Sequence, residues 1–564
     1  MGLFTGTVIL LFRASIEVLA SALLPAGSES FELLPYAQRF GLPVLGALLL
    51  GAVLNRLPPT ERRVGVPHVM ERLSRHQGNL PARNALVQFF GGIVALVAGV
   101  SGGREGPAVH LGSASASLMG QALNLPNNSV RVLVACGAAA AIAGSFNTPL
   151  AGVIFAMEVV MMEYTLGSFI PVIVASVTAT VMSRYFFGDE PAFLIAPQQM
   201  RSLAELPFIA VSGLVVGCVA TAFNMAVQAF TRLRAWPYWI RALLAGLMTA
   251  LAALSTPAVM GVGYDTVSAT MLGEIALTSL VLIVLLKSVT SAAAVGLGLP
   301  VGLIGPTFVI GAALGGILGY IGDYLQPAAG ISIGLYVMLG MTAMMGAVLQ
   351  APLAALVAVL ELTANPSVLL PAMLVIVVAS LTSSVIFRQK SVFLSTLDIL
   401  GLKYPPDPIT RHLQRAGVAS IMNRDLVRLA QSAPEAEVRS AMAAKPMWVV
   451  VESEPGQIRC VLRGSDLQVH LDGLAGASAA TGTQGDAAAA EGARDAEIDL
   501  MQIPGERLDV ANLDYRASLA EAQAVLKERE TEALCIRRAR APLIESVLGV
   551  VTQQDIDNYR DRGA

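Results

Sequence analysis

Apolar runs dominate the chain as far as about Arg388. Long examples lie at Ala210–Val227, Leu277–Leu286 and Val368–Ile386. A helix that crosses a membrane needs about 20 predominantly apolar residues, and 55% of this sequence is hydrophobic while only 14% is charged. Acids and bases become frequent after Lys390. The pattern predicts an integral membrane domain followed by a soluble tail.

The charge and cysteine content argue against several other classes of protein. The formal net charge is −3 and the sequence has no long basic block, so we expect no nucleic-acid partner. None of the four cysteines forms a CxxC pair, which argues against a zinc site or a disulfide framework. No group of histidines, cysteines or acids has catalytic or metal-binding spacing, so we predict neither an enzyme nor a metal site.

The distribution of basic residues predicts the orientation of the membrane domain. The loop Pro58–Arg83 carries five arginines, whereas the preceding loop, Pro25–Gln38, carries two acids and no base. Because loops rich in Lys and Arg stay in the cytoplasm, we predict that the arginine-rich loop is cytoplasmic. Arg388 and Lys390 follow the last apolar run and predict a cytoplasmic C-terminal tail. The apolar N-terminus is predicted to be the first membrane helix, with a signal peptide as the alternative.

Many of the apolar segments are short or are interrupted by glycine and proline. Gly91–Gly99 and Val301–Gly319 are examples. Irregular backbone at membrane depth is stable only where protein or a water-filled cavity satisfies its polar groups. Broken helices of this kind are typical of transporters and channels, and they predict a path for an ion or a solute.

A weak internal repeat accompanies the broken helices. The segment VACGAAAAIAGSFNTPLAGVIFAMEVV from Val134 aligns without gaps with VMLGMTAMMGAVLQAPLAALVAVLELT from Val337. The alignment matches a glycine, a Pro-Leu-Ala triplet and two glutamates, Glu158 and Glu361. Shared composition of two apolar helices is the alternative, but the ordered set of matches favours a duplication whose halves meet at a central site.

A Gly-x-x-Gly-Pro pentad precedes each copy of the repeat, GREGP at Gly103–Pro107 and GLIGP at Gly302–Pro306. Glycine allows a sharp turn and close approach of a ligand, and proline fits the first turn of a helix. Each pentad is therefore predicted to lead into a helix N-terminus, where free N–H groups and the helix dipole favour an anion. Glu105 would compete with that anion for the same groups and act as a gate. A salt bridge of Arg104 with a nearby acid is the structural alternative.

These segments resemble the CLC family of chloride channels and proton-coupled chloride transporters. GREGP matches the family's signature, GLIGP stands at its Gly-x-Phe-x-Pro segment, and FNTPLAGVIFAMEVV and QAPLAALVAVLELT match two further segments, over roughly residues 1–400. The resemblance implies a mostly α-helical membrane protein with the inverted-repeat CLC fold, assembled as a homodimer with one pore per subunit. It implies that Glu105 is the gating glutamate. The positions implied to line the anion sites through backbone N–H groups are Arg104, Gly106, Leu303 and Ile304.

The sequence departs from the family at two positions beside the implied anion site. RVGVP at Arg63–Pro67 stands at the family's Gly-Ser-Gly-Ile-Pro segment, so Val64 replaces a serine whose hydroxyl contacts the anion. QKSVFLS places Phe393 where the family has a tyrosine that closes the inner side of the site. The resemblance then implies an anion held by backbone N–H groups alone, and weaker central binding. A gap-shifted alignment is the alternative for Val64.

A third departure concerns the proton. Proton-coupled family members commonly carry an internal glutamate directly after the position of Glu158, and here that position is Val159. Because a valine cannot relay a proton, we predict a voltage- or pH-gated chloride channel that conducts passively and is gated by Glu105. The alternative is a chloride/proton antiporter whose proton path is rerouted through water or another acid such as Glu163. A solute symporter is a further alternative, which the anion signature argues against, and a membrane enzyme is another, which no cluster of His, Cys or paired acids with catalytic spacing supports.

Three other residues of the membrane domain invite a functional interpretation. Lys287 is isolated in an apolar run, at a place where the family often has a base near the inner vestibule; a lysine that snorkels to the interface is the alternative. His110, one turn after the signature, could make gating depend on pH, although a packed helix histidine is expected. Glu158 is predicted to be a structural helix-end carboxylate because Glu361 duplicates it.

The polar tail shows a repeat of its own. Stretches from Gly417 and from Asp514 predict the same order of strand, helix, strand, strand and helix. They resemble a tandem pair of CBS domains, a resemblance that implies an adenine-nucleotide site with Thr552 and Asp555 on the ribose and phosphate. The alternative role of Asp555 is a helix N-cap.

These patterns divide the chain into four predicted regions. They are a transmembrane domain at residues 1–404 with repeats at about 1–190 and 205–400, a first CBS domain at 405–472, a disordered linker at 473–499 and a second CBS domain at 500–564. No cofactor is required in this interpretation. The expected partners are a second copy of the chain, the lipid membrane, and chloride or other small anions.

Overall fold

A computed structural model describes residues 1–25, 27, 29–189, 193, 199–325, 327, 331–402, 404, 408–480, 497–541 and 544–562. The protein forms two compact units. One comprises Met1–Leu123 and Ser129–Pro405, and the other comprises Asn124–Asn128 and Pro406–Ala564.

The first unit is helical. Its α-helices in chain order are α1 (Gly2–Leu23), α2 (Tyr36–Leu54), α3 (Gly65–Arg75), α4 (Ala82–Val97), α5 (Glu105–Ala122), α6 (Asn127–Phe146), α7 (Pro149–Phe155), α8 (Leu166–Phe187), α9 (Leu206–Arg232), α10 (Tyr238–Ser255), α11 (Tyr264–Met271), α12 (Leu277–Gly296), α13 (Ile304–Leu325), α14 (Ile333–Leu349), α15 (Pro352–Thr363), α16 (Leu369–Leu381) and α17 (Val392–Ile399). Two π-helical turns continue α7 and α16, at Ala156–Met161 and Thr382–Ile386. Short 3-10 turns lie at Phe31–Leu33, Leu203–Glu205, Leu233–Ala235, Pro257–Val259 and Pro366–Val368.

Within the described part of the chain, nine helices are long and apolar enough to cross a membrane. The prediction of a multi-pass membrane domain is confirmed. Other helices are too short to cross, and α7 and α15 begin directly at Pro149 and Pro352, which occupy the first helical turn. The broken helices expected from glycine and proline are therefore present.

The internal repeat is visible in how the helices pack. Gly112 of α5 lies against Gly137 of α6, and a Cβ atom on either glycine would collide with the backbone of the other helix. Gly311 of α13 and Gly340 of α14 form the corresponding contact in the second half. Only glycine allows backbones to approach this closely. Gly137 and Gly340, which the sequence repeat aligns, thus allow the same close helix packing in the two halves.

The second unit mixes strands and helices. Its strands are β1 (Leu426–Ala430), β2 (Ser432–Pro434), β3 (Trp448–Glu454), β4 (Gln457–Arg463), β5 (Glu497–Asp499), β6 (Arg507–Leu508), β7 (Val510–Asp514), β8 (Ala533–Ala541) and β9 (Ile544–Thr552). Its helices are α18 (Pro408–Arg415), α19 (Glu435–Met442), α20 (Gly464–Ala480), α21 (Leu519–Arg529) and α22 (Gln553–Arg562), with a 3-10 turn at Val418–Ser420.

The two halves of the tail share one topology. Strand β1 pairs in parallel with β3, which pairs antiparallel with β4. In the same way β7 pairs in parallel with β8, which pairs antiparallel with β9. A helix follows the first strand of each triplet and another follows the last, so the predicted order of strand, helix, strand, strand and helix is confirmed.

The predicted linker is partly wrong. Helix α20 continues to Ala480, so residues 473–480 are helical, and Glu497–Asp499 pairs with β2. Alanine is the best helix former, and the alanine-rich sequence extends the helix that begins at Gly464. Residues 481–496 of the predicted linker lie outside the described residues.

Candidate anion-binding site

The two pentads meet face to face. The backbone N–H of Gly103 donates to the carbonyl of Gly302 at 2.8 Å, and the N–H of Gly302 donates to the carbonyl of Gly103 at 2.7 Å. These reciprocal bonds are the pattern of a two-fold relation between the repeats. Helices α5 and α13 begin directly after the junction, at Glu105 and Ile304, so the prediction that each pentad leads into a helix is confirmed. Two helix N-termini therefore converge on one place, which favours an anion.

Glycine is required at this junction. A Cβ atom on Gly106 would lie 2.7 Å from the Cα atom of Gly302, and a Cβ atom on Gly302 would lie 2.5 Å from the backbone nitrogen of Gly106. Any side chain here would separate the helix ends.

Glu105 is fully buried beside this junction. The backbone N–H of Gly305 donates to its Oε2 at 3.2 Å, and the hydroxyl of Tyr264 donates to its Oε1. The carboxylate therefore accepts a backbone N–H group at the start of α13. That position is the one expected for a carboxylate that mimics a permeating anion.

The side chain of Arg104 lies among two acids and a tyrosine. Its guanidinium lies 3.7 Å from the carboxylate of Glu17 and 3.8 Å from that of Glu105, and it stacks 5.6 Å above the ring of Tyr264. The salt-bridge alternative thus holds for Arg104, while Glu105 is bound mainly by Tyr264 and Gly305. Sequence reasoning missed Tyr264, because a tyrosine 159 positions from its partner leaves no local pattern.

A cavity of about 480 Å³ adjoins the junction and brings together most of the predicted anion-site residues. Among the residues that line it are Val64, Gly106, Leu303, Ile304 and Phe393. These positions are far apart in the sequence, and the CLC resemblance alone placed them together.

Val64 directly precedes α3 in an extended conformation, with φ −143° and ψ 175°, and its side chain cannot cap the helix. The first N–H of the helix, that of Gly65, donates instead to Oε1 of Gln88 at 2.9 Å. Gln88 is fully buried, and its Nε2 donates to the carbonyl of Pro300 at 3.0 Å. An isolated glutamine in the apolar run LVQFF was the signal that could have identified it.

The cavity is rich in arginine. Arg62, Arg63, Arg234 and Arg241 line it. Arg63 pairs with Glu71, which also lines the cavity, while Arg234 and Arg241 donate to the carbonyls of Gly296 and Leu297 at 2.9 and 2.7 Å. The surplus of guanidinium groups gives the cavity a positive potential that concentrates anions.

The structure places the Lys287 side chain in the protein interior. Its ammonium group is fully buried, and Lys287 is absent from the described cavity lining. The group donates to the carbonyls of Val259 and Gly261 at 3.1 and 2.9 Å, with longer contacts to those of Ala258 and Met260. Full burial of the ammonium excludes the snorkelling alternative, while the vestibule role stays a prediction. The ammonium is buried because a loop 26 to 29 residues earlier in the chain closes over it and supplies its acceptors.

The duplicated glutamates cap helices across the repeat. Glu158 accepts the N–H groups of Leu353 and Ala354 at 3.3 and 2.7 Å, at the start of α15. Glu361 accepts those of Leu150 and Ala151 at 3.0 and 2.8 Å, at the start of α7. The prediction of a structural helix-end role for Glu158 is confirmed. Its neighbour Val159 is buried within the π-helical turn Ala156–Met161.

His110 is packed, as expected for a helix histidine, and has one specific partner. Its Nε2 lies 2.9 Å from Nδ1 of His68, and both rings are buried. His68 also lines the cavity. Spacing in the sequence gave no sign of this pair, because 42 positions separate the two residues.

In the second unit, Thr552 and Asp555 form a helix cap. The hydroxyl and the N–H of Thr552 donate to the carboxylate of Asp555, both at 2.8 Å, at the start of α22. The N–H of Asp555 donates in turn to the hydroxyl of Thr552 at 3.3 Å, so Thr552 is the N-cap and Asp555, the predicted N-cap, is the third residue of the helix and completes a capping box. A cavity of about 650 Å³ adjoins the cap, and its lining also includes Lys445, Trp448 and Ser465.

A buried carboxylate at two converging helix ends, inside a bundle of broken membrane helices, defines a membrane protein that handles small anions. The chain belongs to the CLC family: the family profile described as voltage gated chloride channel matches residues 46–384. Among similar proteins is a ClcB-like chloride channel protein of Ralstonia nicotianae, 32% identical over 62% of this chain and 83% of the relative. The H⁺/Cl⁻ exchange transporter ClcA of Yersinia pestis is 29% identical over 61% of this chain and 74% of the relative.

Solved structures show the same fold. A slow cyanobacterial Cl⁻/H⁺ antiporter superposes with a TM-score of 0.62 at 21% identity, covering 71% of this chain and 96% of that one. A eukaryotic CLC transporter superposes with a TM-score of 0.57 at 17% identity, covering 98% of this chain and 95% of that one. The mostly helical CLC fold predicted from the sequence is confirmed.

Proposed function

We propose that this protein exchanges chloride for protons across the membrane, with Glu105 carrying the proton and opening the anion path. The observation that carries the proposal is the position of the Glu105 carboxylate, bound to the N–H of Gly305 at a helix N-terminus. A carboxylate there competes with chloride, and protonation removes its charge and releases the site. Relatives named as H⁺/Cl⁻ exchange transporters support coupling over the passive conduction expected from Val159.

The anion would cross through the cavity that Val64, Phe393 and Ile304 line. Backbone N–H groups at the starts of α5 and α13 would bind it, because neither Val64 nor Phe393 supplies a hydroxyl donor. The arginines of the cavity would raise the local anion concentration.

A gated passive chloride channel is the second candidate. The observation in its favour is Val159, whose side chain has no group that can carry a proton. A relative named as a chloride channel protein is consistent with it.

Proteoliposomes containing the purified protein separate the two functions. Chloride efflux is measured together with external pH while valinomycin clamps the membrane potential. Exchange predicts protons driven uphill by the chloride gradient, and Glu105→Gln should abolish this movement while chloride still passes. Glu274→Gln, a change of the same kind at an exposed site, is the matched control. Chloride efflux without proton movement would establish the channel.

We further propose that two copies of the chain assemble in the membrane, each with its own anion path. The CLC resemblance supports this assembly. Light scattering of the detergent-solubilised protein tests it, since a mass of one protein chain per particle would contradict a dimer.

For the tail, we propose a CBS pair that binds an adenine nucleotide in the cavity beside Thr552 and Asp555. The shared topology of the two halves and the cavity of about 650 Å³ support this assignment. Calorimetric titration of the full-length protein with ATP, ADP and AMP tests it. Binding that Thr552→Val weakens would support the site, and the absence of heat with all three nucleotides would exclude it.

A further inference from the structure

A buried pair of histidines connects the cavity with the helix that begins at Glu105. Nδ1 of His68 lies 2.9 Å from Nε2 of His110, and the ring centroids are 5.1 Å apart. His68 is 5% exposed and His110 is fully buried. A single shared proton bridges two neutral rings at this distance, and it can reside on either nitrogen.

The two ends of the pair have different surroundings. His68 lines the cavity that contains the predicted anion-site residues. Nδ1 of His110 is buried and has no hydrogen-bond partner within the part of the chain that the structure describes. Buried ring nitrogens are normally bonded, so an unpartnered one calls for a reason other than packing.

The pair also lies in a suitable part of the fold. His110 follows Glu105 by five residues on α5, which is about 7.5 Å along the helix axis. Helix α3, which carries His68, packs against α5 and against the π-helical turn Ala156–Met161 that contains Val159. His68 is thus carried by a helix that adjoins the segment in which proton-coupled relatives have an acid, and His110 by the helix packed against it.

The charges around the pair limit how it can work. A positive charge on His68 is repelled by Arg63, Arg72 and His76. Glu71 forms an ion pair with Arg63. The positive groups oppose a long-lived imidazolium. They do not oppose a proton that enters one nitrogen of the pair while another leaves at the far end.

We propose that His68 and His110 carry the proton between the cavity and Glu105, in place of the acid that Val159 lacks. This inference rests on the proposed exchange function. In the starting state both rings carry their proton on Nδ1. Nε2 of His68 accepts a proton from cavity water, the Nδ1 proton of His68 passes to Nε2 of His110, and the Nδ1 proton of His110 leaves towards Glu105 through water. One proton enters and one leaves, and only N–H bonds form and break; the reverse transfer or a ring flip restores the starting state.

Two substitutions separate the relay from a purely structural role. His68→Asn places an amide where Nδ1 lies, and His110→Gln places one where Nε2 lies, so each preserves the central hydrogen bond. Neither amide can bind and release a proton at neutral pH. His76→Gln, directly after the end of the helix that carries His68 and outside the pair and the cavity lining, is the matched control.

The test is the ratio of proton to chloride flux in proteoliposomes, measured for the wild type and each variant. We expect His68→Asn and His110→Gln to lower the ratio by about tenfold or more, as for loss of a positioned proton carrier, while chloride still passes. His76→Gln should keep the wild-type ratio. Adding Val159→Glu to His110→Gln should restore coupling, because it returns an acid to the segment beside α3.

The outcomes distinguish this inference from the exchange function on which it rests. If the wild type couples the two fluxes and both histidine variants couple them equally well, exchange stands and the relay is excluded. A wild type that moves chloride and no protons overturns both. Loss of both fluxes together in variants that remain folded by thermal unfolding would assign the pair to the anion path, which also overturns the relay.

Discussion

Glu158, in the first half of the membrane domain, and Glu361, in the second half, each cap a helix of the other half. Each carboxylate accepts two backbone N–H groups at the start of a helix in the other repeat, Glu158 on α15 and Glu361 on α7. The first N–H groups of a helix have no partner within the helix, so these bonds give a partner to groups that would otherwise lack one. These mutual hydrogen bonds join the two repeats around the anion site.

Removing either cap should destabilise the protein to a similar extent. We expect Glu158→Ala and Glu361→Ala each to lower the free energy of unfolding by about 2 kcal/mol, since a buried N–H is left unpaired. Thermal unfolding of the detergent-solubilised protein measures this. Glu274→Ala, at an exposed position, is the control. If Glu158→Gln removed proton coupling without lowering the stability, Glu158 would be a proton carrier instead of a cap.

Tyr264→Phe should make Glu105 easier to displace. The hydroxyl of Tyr264 donates to the Glu105 carboxylate, and a hydrogen bond to a charged group contributes about 1.5–3 kcal/mol. We expect chloride flux at alkaline pH to rise by roughly tenfold, since each 1.4 kcal/mol changes an equilibrium tenfold. Tyr320→Phe, which removes a hydroxyl that bonds the carbonyl of Gly273 away from the site, should leave flux unchanged. Equal flux in the two variants would mean that Tyr264 does not hold the gate.

Val64→Ser should strengthen chloride binding. The substitution adds a hydroxyl donor to the lining of the cavity, next to the start of α3. A new hydrogen bond to an anion predicts an affinity gain of about tenfold. Isothermal titration with chloride measures it, and Val64→Ala controls for the change in volume. An affinity equal to that of Val64→Ala would place Val64 outside the anion path.

Lys287→Met should reduce stability and leave the attraction of anions intact. The ammonium group binds backbone carbonyls between Ala258 and Gly261, and its loss leaves buried acceptors without donors. We expect at least about 3 kcal/mol of destabilisation. Arg234→Gln, within the cavity, should instead weaken the dependence of flux on chloride concentration. A stable Lys287→Met protein with reduced chloride affinity would instead support a vestibule role for Lys287.

The tail contains a thiol that should resist alkylation. Burial raises the pKa of Cys535 to about 12, from a usual value of 9.0. Between these values the unfolded thiol ionises and the folded one does not, so stability should fall as the pH rises above about 9. At pH 8 the thiolate fraction should be about a thousandfold smaller than in the unfolded chain. Mass spectrometry of maleimide-treated protein, native and denatured, measures this; equal labelling of both would show that Cys535 is open to solvent.

Several features of the site were predictable because they are local in the chain. GREGP and GLIGP carry their own turn and helix-start chemistry, and their duplication predicted that the two halves meet. The role of Glu158 followed from its alignment with Glu361. In each instance the physical cause acts within a few residues, or repeats at an equivalent position, so a linear pattern records it.

Other features depend on partners that the linear sequence does not bring together. The sequence suggested a vestibule charge for Lys287, and only the structure shows that the carbonyls of residues 258–261 surround its ammonium group. The pair of His68 and His110 forms only when α3 packs against α5, and Tyr264 reaches Glu105 only in the folded protein. The sequence by itself determined the membrane class, the repeat and the anion-binding helix ends, since hydrophobic length and backbone turns are local properties. The tertiary structure decided which buried polar groups face each other, because hydrogen bonds between residues 26 to 159 positions apart depend on packing.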